Sequence, residues 1–316
     1  MKETIETREL VVLERPDGII RGTYHKACDE TSVAHESSTD RDRVGLLFLT
    51  GLSATRAANG DSAVYWADAF AERGYPSIRL DLPGFGDSDG DPPTESLEFI
   101  NAGRYASIVS VAIDELVARF NLSGIVIVGH CTGTVSAIYA AADSKECRGL
   151  ILMDPLFYLP ATKLWKFRRQ LHTWVLRCHL DGLLTPIYDR SKELCLSIRG
   201  NRPPANANFP LLRCWKKLAS IGLPILILKA SGRKSAGTRS RIGEFDYIQH
   251  VVELAGRKGQ VSVQVADGAH HSFANRPGRA AVRQHTEEWL SATFPLTGRK
   301  DSDADALHQD PVVVTK

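Results

Sequence analysis

A chain of 316 residues is long enough for one large domain carrying an insertion, or for two modest domains. With 43% hydrophobic and 24% charged residues it excludes wholesale disorder, a fibrous repeat and a coiled coil, and a formal net charge of +2 gives no reason to expect nucleic acid or an anionic membrane as partner. The N-terminal stretch has no apolar run of signal-peptide length, and no run of about 18 apolar residues could span a bilayer, so a cytoplasmic location is expected.

Short apolar, β-branched runs predict strands over Glu9–Leu13, Ile19–Tyr24, Gly45–Thr50, Ser77–Leu82, Gly124–Gly129, Gly149–Met153, Pro224–Lys229 and Gln260–Val265. Pro16-Asp17-Gly18 reads as the turn of an antiparallel hairpin joining the first two. Segments of helical period separate the later strands. Ser62–Glu72 aligns Val64, Trp66, Ala67 and Phe70, Ile108–Phe120 aligns Val111, Leu116 and Phe120, residues 134–142 read as a helix, and Ala280–Leu290 closes the pattern. Alternating strands and helices predict an α/β fold, an eight-stranded, mostly parallel sheet with helices on both faces.

Three segments depart from this alternation. Residues 26–43 are polar and aperiodic, the mark of a surface loop, and residues 296–316 carry the acidic stretch of a disordered tail. Residues 156–220 are too long for a simple connection and have their own helical pattern, so they read as an inserted helical cap within a core formed by 1–155 and 221–295. The insertion holds twelve lysines and arginines against three acids. Such a charge run is either a solvated helical face or a platform for an anionic group such as a phosphate-bearing carrier. Trp165, Trp174 and several leucines interleave with the cations, so one face could also cover an apolar pocket.

Six cysteines (Cys28, Cys131, Cys147, Cys178, Cys195 and Cys214) lack CxxC or zinc spacing and are expected as free thiols. Cys131 stands apart. The fifth strand runs straight into Gly129-His130-Cys131-Thr132-Gly133 and then a helix. This G-x-C-x-G arrangement suits a nucleophile on a sharp strand-to-helix turn, where close backbone approach demands glycines and the helix N-terminus favours a thiolate.

On these residues the chain resembles the α/β-hydrolase superfamily, with cysteine where most members have serine. The resemblance extends over roughly residues 7–293 and includes Thr50-Gly51-Leu52 after the third strand and the run from Asp81 to Ser88, similar to the family's Asp-x-x-Gly-x-Gly-x-Ser. Gly84 and Gly86 lack the third glycine of a dinucleotide fingerprint, and nothing in the sequence points to a metal, flavin or nicotinamide.

The resemblance implies a catalytic histidine after the last strand, where Ala269-His270-His271-Ser272-Phe273 offers His271 as general base and acid, with His270 as the alternative. It also implies a carboxylate to orient that ring. The position after the seventh strand, Lys229-Ala230-Ser231-Gly232, has none; Asp154, after the sixth, is the candidate, its competing role being a turn cap before Pro155. Glu244 and Asp246 are weaker alternatives. The backbone N–H groups of Leu52 and Thr132 are the implied oxyanion donors.

A cysteine at this turn is similar to dienelactone hydrolases, polyhydroxyalkanoate synthases and Dieckmann cyclases. Size, the Cys-Asp-His order and an acid soon after the nucleophile fit the cyclases best. The expectation is therefore acyl transfer from a thioester of a carrier protein or coenzyme A through an acyl-Cys131 intermediate, as a thioesterase or cyclase. The alternatives are a carboxylester or lactone hydrolase with a thiol nucleophile, and a non-catalytic ligand-binding member of the fold.

Overall fold

The structure, a computed structural model, describes residues 7–28, 43–52, 54–159, 202–231 and 245–296. In chain order its elements are β1 (Arg8–Arg15), β2 (Gly18–His25), β3 (Val44–Leu49), α1 (Ser62–Glu72), β4 (Ser77–Leu80), α2 (Ser96–Asn101), α3 (Ala106–Arg119), β5 (Gly124–His130), α4 (Gly133–Asp143), β6 (Cys147–Met153), α5 (Phe209–Ser220), β7 (Ile225–Ala230), α6 (Tyr247–Ala255), β8 (Val261–Ala266) and α7 (Arg276–Thr293). All eight expected strands form one sheet in the order β1-β2-β4-β3-β5-β6-β7-β8. The pairs β1–β2 and β2–β4 are antiparallel and the rest parallel. This is the α/β-hydrolase fold.

Every residue of β3 and β4 is buried, as the unbroken apolar runs of a sheet covered on both faces require. On one face α3, α4, α5 and α6 enclose Ile113, Leu116, Ile138, Trp215 and Val251; on the other α1 and α7 enclose Trp66, Phe70, Val282 and Leu290. Side chains of this size, fully buried, each contribute about 2–3 kcal/mol through area removed from water.

Helix α1 has the expected ends, with Trp66, Ala67 and Phe70 buried and Val64 at the margin. The face expected for α3 is corrected: Val111 is 53% exposed, and the buried stripe is Val109, Ala112, Ile113 and Leu116. Those four recur at the helical spacing, which turns Val111 to the opposite side. Helices α2 and α6 were not expected; α2, with six residues, is too short to display two full periods. Within the segment read as a cap, residues 202–220 are described, and there α5 packs against the core with Leu211 and Trp215 buried. Residues 160–201, which hold most of its cations, and the expected tail from 297 onward lie outside the described residues. No helix among the described residues is long and apolar enough to cross a membrane.

The sheet positions the site. From β3 the chain crosses to β4 on one side and later returns to β5 on the other, so the connections leaving the carboxyl ends of β3 and β5 run to opposite sides. That is where open α/β sheets form a crevice for ligands. Register aligns Leu49 with Gly129 and His130 with Met153, bringing the segments after β3, β5 and β6 to one edge.

Candidate active site

Cys131 stands between β5 and α4 in the left-handed region, φ 54°. For a residue with a side chain this conformation costs of order 1 kcal/mol or more, and the surroundings hold it there. Its N–H donates to Met153 O at 3.1 Å, while its carbonyl accepts from Thr134 N at 3.1 Å and Thr134 Oγ1 at 2.5 Å. The flanking glycines are steric necessities. A Cβ on Gly129 would lie 2.8 Å from Thr134 Cα, and one on Gly133 would fall on the carbonyl oxygens of Leu49 and Thr50. Gly51 presses on the turn from β3, where a Cβ would stand 3.1 Å from that of Cys131.

His271 follows β8 on a loop fastened at several points. Asn275 Nδ2 donates to Gly268 O at 2.7 Å, Gly268 N to Ser231 Oγ at 2.8 Å, and Phe273 N to His270 O at 2.8 Å. The His271 ring is partly exposed, and its Nδ1 lies 2.9 Å from Asp154 Oδ2. Asp154 is fully buried, and its other oxygen accepts from Ala230 N at 3.0 Å. The end of β7, which carries no acid, thus supplies a backbone donor to the acid of β6. Asp154 N in turn donates to Leu228 O at 2.9 Å.

The Asp154 carboxylate raises the proton affinity of His271 most, and a hydrogen bond with the Cys131 side chain adds to it; burial opposes both, and the result is a pKa of about 10. With Nδ1 engaged by Asp154, Nε2 is the ring atom left for the sulfur. The imidazole thus lies between a buried carboxylate on Nδ1 and the turn that carries Cys131.

The runner-up residues go elsewhere. His270 is exposed, Asp246 caps α6 by accepting from Ile248 N at 2.9 Å and Gln249 N at 3.0 Å, and Glu244 lies outside the described residues. Of the two N–H groups named as oxyanion donors, that of Thr132 meets no acceptor among the described residues. That of Leu52 donates to Thr132 Oγ1 at 2.7 Å. The loop bearing Leu52 is moored by Arg56, whose N–H donates to Asp81 Oδ1 at 2.5 Å and whose guanidinium pairs with the same carboxylate. Asp81 also accepts from Asp87 N at 3.0 Å, and Gly86 packs directly on it, so the run from Asp81 to Ser88 is a brace for this loop.

Two residues of the site were not foreseen. His130 Nε2–H donates to His271 O at 2.7 Å, and its ring packs against the His271 ring at 5.4 Å and edge-on to Phe273 at 5.9 Å. Burial holds its pKa at about 4, so the ring is neutral near pH 7. A second imidazole inside the G-x-C-x-G turn was the available signal. Tyr158 is the other. Its hydroxyl is held above the usual phenol range by burial, with the nearby Asp154 carboxylate adding to it. A cleft beside the turn is lined by Thr50, Gly51, Leu52 and Thr132 and by the apolar Leu82, Phe85, Ile100 and Tyr105.

Residues 46–284 match the sequence model of the family described as "Alpha/beta hydrolase family". Among solved structures the chain is similar to an esterase of Pyrococcus furiosus, with 15% identity, 91% of each chain covered and a TM-score of 0.59. It is similar to a dienelactone hydrolase from Anabaena variabilis, with 15% identity, 90% of this chain and 97% of that one covered and a TM-score of 0.53. An alpha-beta serine hydrolase homologue from Coxiella burnetii gives 14% identity, 88% and 96% coverage and a TM-score of 0.51. No curated protein matches the sequence. At such identities the structural likeness is one of fold.

Proposed function

Because the chain belongs to the alpha/beta hydrolase family and is an enzyme of hydrolase type, we propose that it transfers acyl groups from a thioester through an acyl-Cys131 intermediate. The observation carrying this reading is the 2.9 Å contact of His271 Nδ1 with the buried Asp154 carboxylate, which supports His271 as the base for the Cys131 thiol.

In this mechanism Asp154 holds the Nδ1–H tautomer and Nε2 takes the thiol proton of Cys131. The sulfur adds to the acyl carbon, and the oxygen of the tetrahedral adduct is received by the Thr132 N–H at the start of α4. As the adduct collapses, the carbon–sulfur bond to the departing thiol breaks and that thiol takes the proton from Nε2. An incoming nucleophile, which is water in hydrolysis or an amine, carbanion or thiol in transfer and cyclisation, then yields its proton to His271, attacks the acyl carbon and releases Cys131. The apolar wall of Leu82, Phe85 and Ile100 suits an aliphatic or aromatic acyl group. A carrier protein or coenzyme A would present it, and the twelve lysines and arginines in the sequence between 156 and 220 are the feature that suits the phosphate of a pantetheine arm.

The test is to incubate the chain with S-hexanoyl-pantetheine and weigh it intact. An acyl adduct on the native chain that is missing from Cys131→Ala is expected; no adduct, or the same adduct on the variant, would sink the mechanism. A second reading, hydrolysis of carboxylic esters or lactones by the same residues, is favoured by the esterase and dienelactone hydrolase among the structural neighbours. It predicts turnover of p-nitrophenyl esters without any pantetheine group.

A further inference from the structure

The hydroxyl of Thr132 has an unusual position for the residue that follows a candidate nucleophile. It accepts the Leu52 N–H at 2.7 Å, so the second backbone donor of the expected oxyanion hole is already engaged. Two neighbouring threonines have spent their hydroxyl protons: Thr134 Oγ1 donates to Cys131 O at 2.5 Å and Thr50 Oγ1 to Ala54 O at 3.1 Å. The proton on Thr132 Oγ1 meets no acceptor among the described residues, although the residue is only 4% exposed and lines the cleft. A hydroxyl that accepts a strong hydrogen bond becomes a better donor through the polarisation of its own O–H bond. A buried O–H on the residue next to Cys131 in the chain, polarised in this way and meeting no acceptor among the described residues, is poised for a developing negative oxygen.

We infer that the Thr132 hydroxyl is itself an oxyanion donor, so that the acyl oxygen accepts from both Thr132 N–H and Thr132 Oγ1–H while Leu52 N–H acts through the hydroxyl. This role rests on the acyl-Cys131 reading. The hydroxyl donates a hydrogen bond and keeps its proton; the proton that moves is the one shuttled by His271. Thr132 is on this account a catalytic residue, and Leu52 a positioning residue.

The experiment compares wild-type, Thr132→Val and Thr132→Ser by the rate of acyl adduct formation from S-hexanoyl-pantetheine under single turnover, alongside the rate of Cys131 alkylation by iodoacetamide. Alkylation displaces iodide at a saturated carbon and forms no oxyanion, so it reports the sulfur and its histidine alone. Thr132→Val is expected to acylate roughly 10- to 100-fold more slowly, within the range for removing one oxyanion donor and reduced because Leu52 N–H is set free. Its alkylation rate should be unchanged, and Thr132→Ser should acylate within a few-fold of wild-type. Acylation of Thr132→Val at or above the wild-type rate would overturn the inference, since the hydroxyl would then only mask Leu52. A parallel fall in acylation and alkylation would also overturn it, by showing that the residue merely shapes the turn. If the wild-type chain alkylates but never acylates, the acyl-Cys131 reading fails and this role with it.

Discussion

His130 Nε2 donates to the backbone carbonyl of His271 at 2.7 Å, so the residue preceding the candidate nucleophile holds the loop that carries the candidate base. The link joins the end of β5 to the loop after β8, two strands that are not neighbours in the sheet. His130→Phe would keep a ring against Phe273 and lose the donor, leaving a carbonyl unpaired at a cost of about 1–3 kcal/mol. The expected outcome is at least a ten-fold fall in acylation rate with Cys131 still titratable by a thiol reagent. An unaltered rate would show that the other fastenings of the loop suffice.

The alkaline limb of activity should belong to His271. Its imidazolium must hand a proton to the departing thiol, and it survives until the ring deprotonates at about 10. Asp154→Asn removes the largest contribution to that proton affinity, so the limb should shift toward the ordinary histidine value, with rates at pH 8 falling by about 10²- to 10⁴-fold. A pH–rate profile of kcat/KM for both proteins measures this.

Stability should depend on pH through histidines of opposite sign. His271 binds its proton more tightly in the folded chain, so its contribution is complete below 6.5 and lost as pH rises through about 10. His25 is held at about 4 by burial and by Arg79, and His130 at about 4 by burial, so their contributions are complete above 6.5 and lost as pH falls through about 4. Melting temperature should therefore decline on both sides of neutrality. His25→Gln, which removes the titrating ring and can still accept from Arg79, should flatten the acid side only; a flattening of the alkaline side would contradict the assignment.

Two glycines should respond very differently to alanine. At Gly133 the new methyl would fall on the Leu49 and Thr50 carbonyl oxygens, and a loss exceeding about 3 kcal/mol, or no soluble protein, is expected. At Gly256 nothing lies within 4 Å, and only its φ of 61° opposes a side chain, for about 1 kcal/mol. Urea unfolding of the two variants distinguishes steric from conformational demand.

Much of this architecture is legible in the sequence because strands covered on both faces, such as Val44–Leu49, are unbroken apolar runs between turn residues. Cys131 was legible for a different reason, lying at a strand end in a short glycine-flanked pattern with a steric cause, whereas His271 was reached through the resemblance, which places a histidine after the last strand. Asp154 too came through the resemblance, as the family's other place for the acid once the end of β7 offered none. What escaped notice were relationships without a local signature: the hold of His130 on a loop more than a hundred residues away, and the occupation of Leu52 N–H by a threonine side chain. Val111 was misplaced because in α3 apolar residues occur on both sides and only the packed neighbours decide which side is covered.

The mooring of Asp154 by Ala230 N–H has an implication for how this protein tolerates change. An amide of the main chain is supplied by every amino acid except proline, so the carboxylate's anchorage is indifferent to which side chain occupies position 230. Packing in the core limits the size of the side chain at 230, but of the replacements there only Ala230→Pro removes the donor itself.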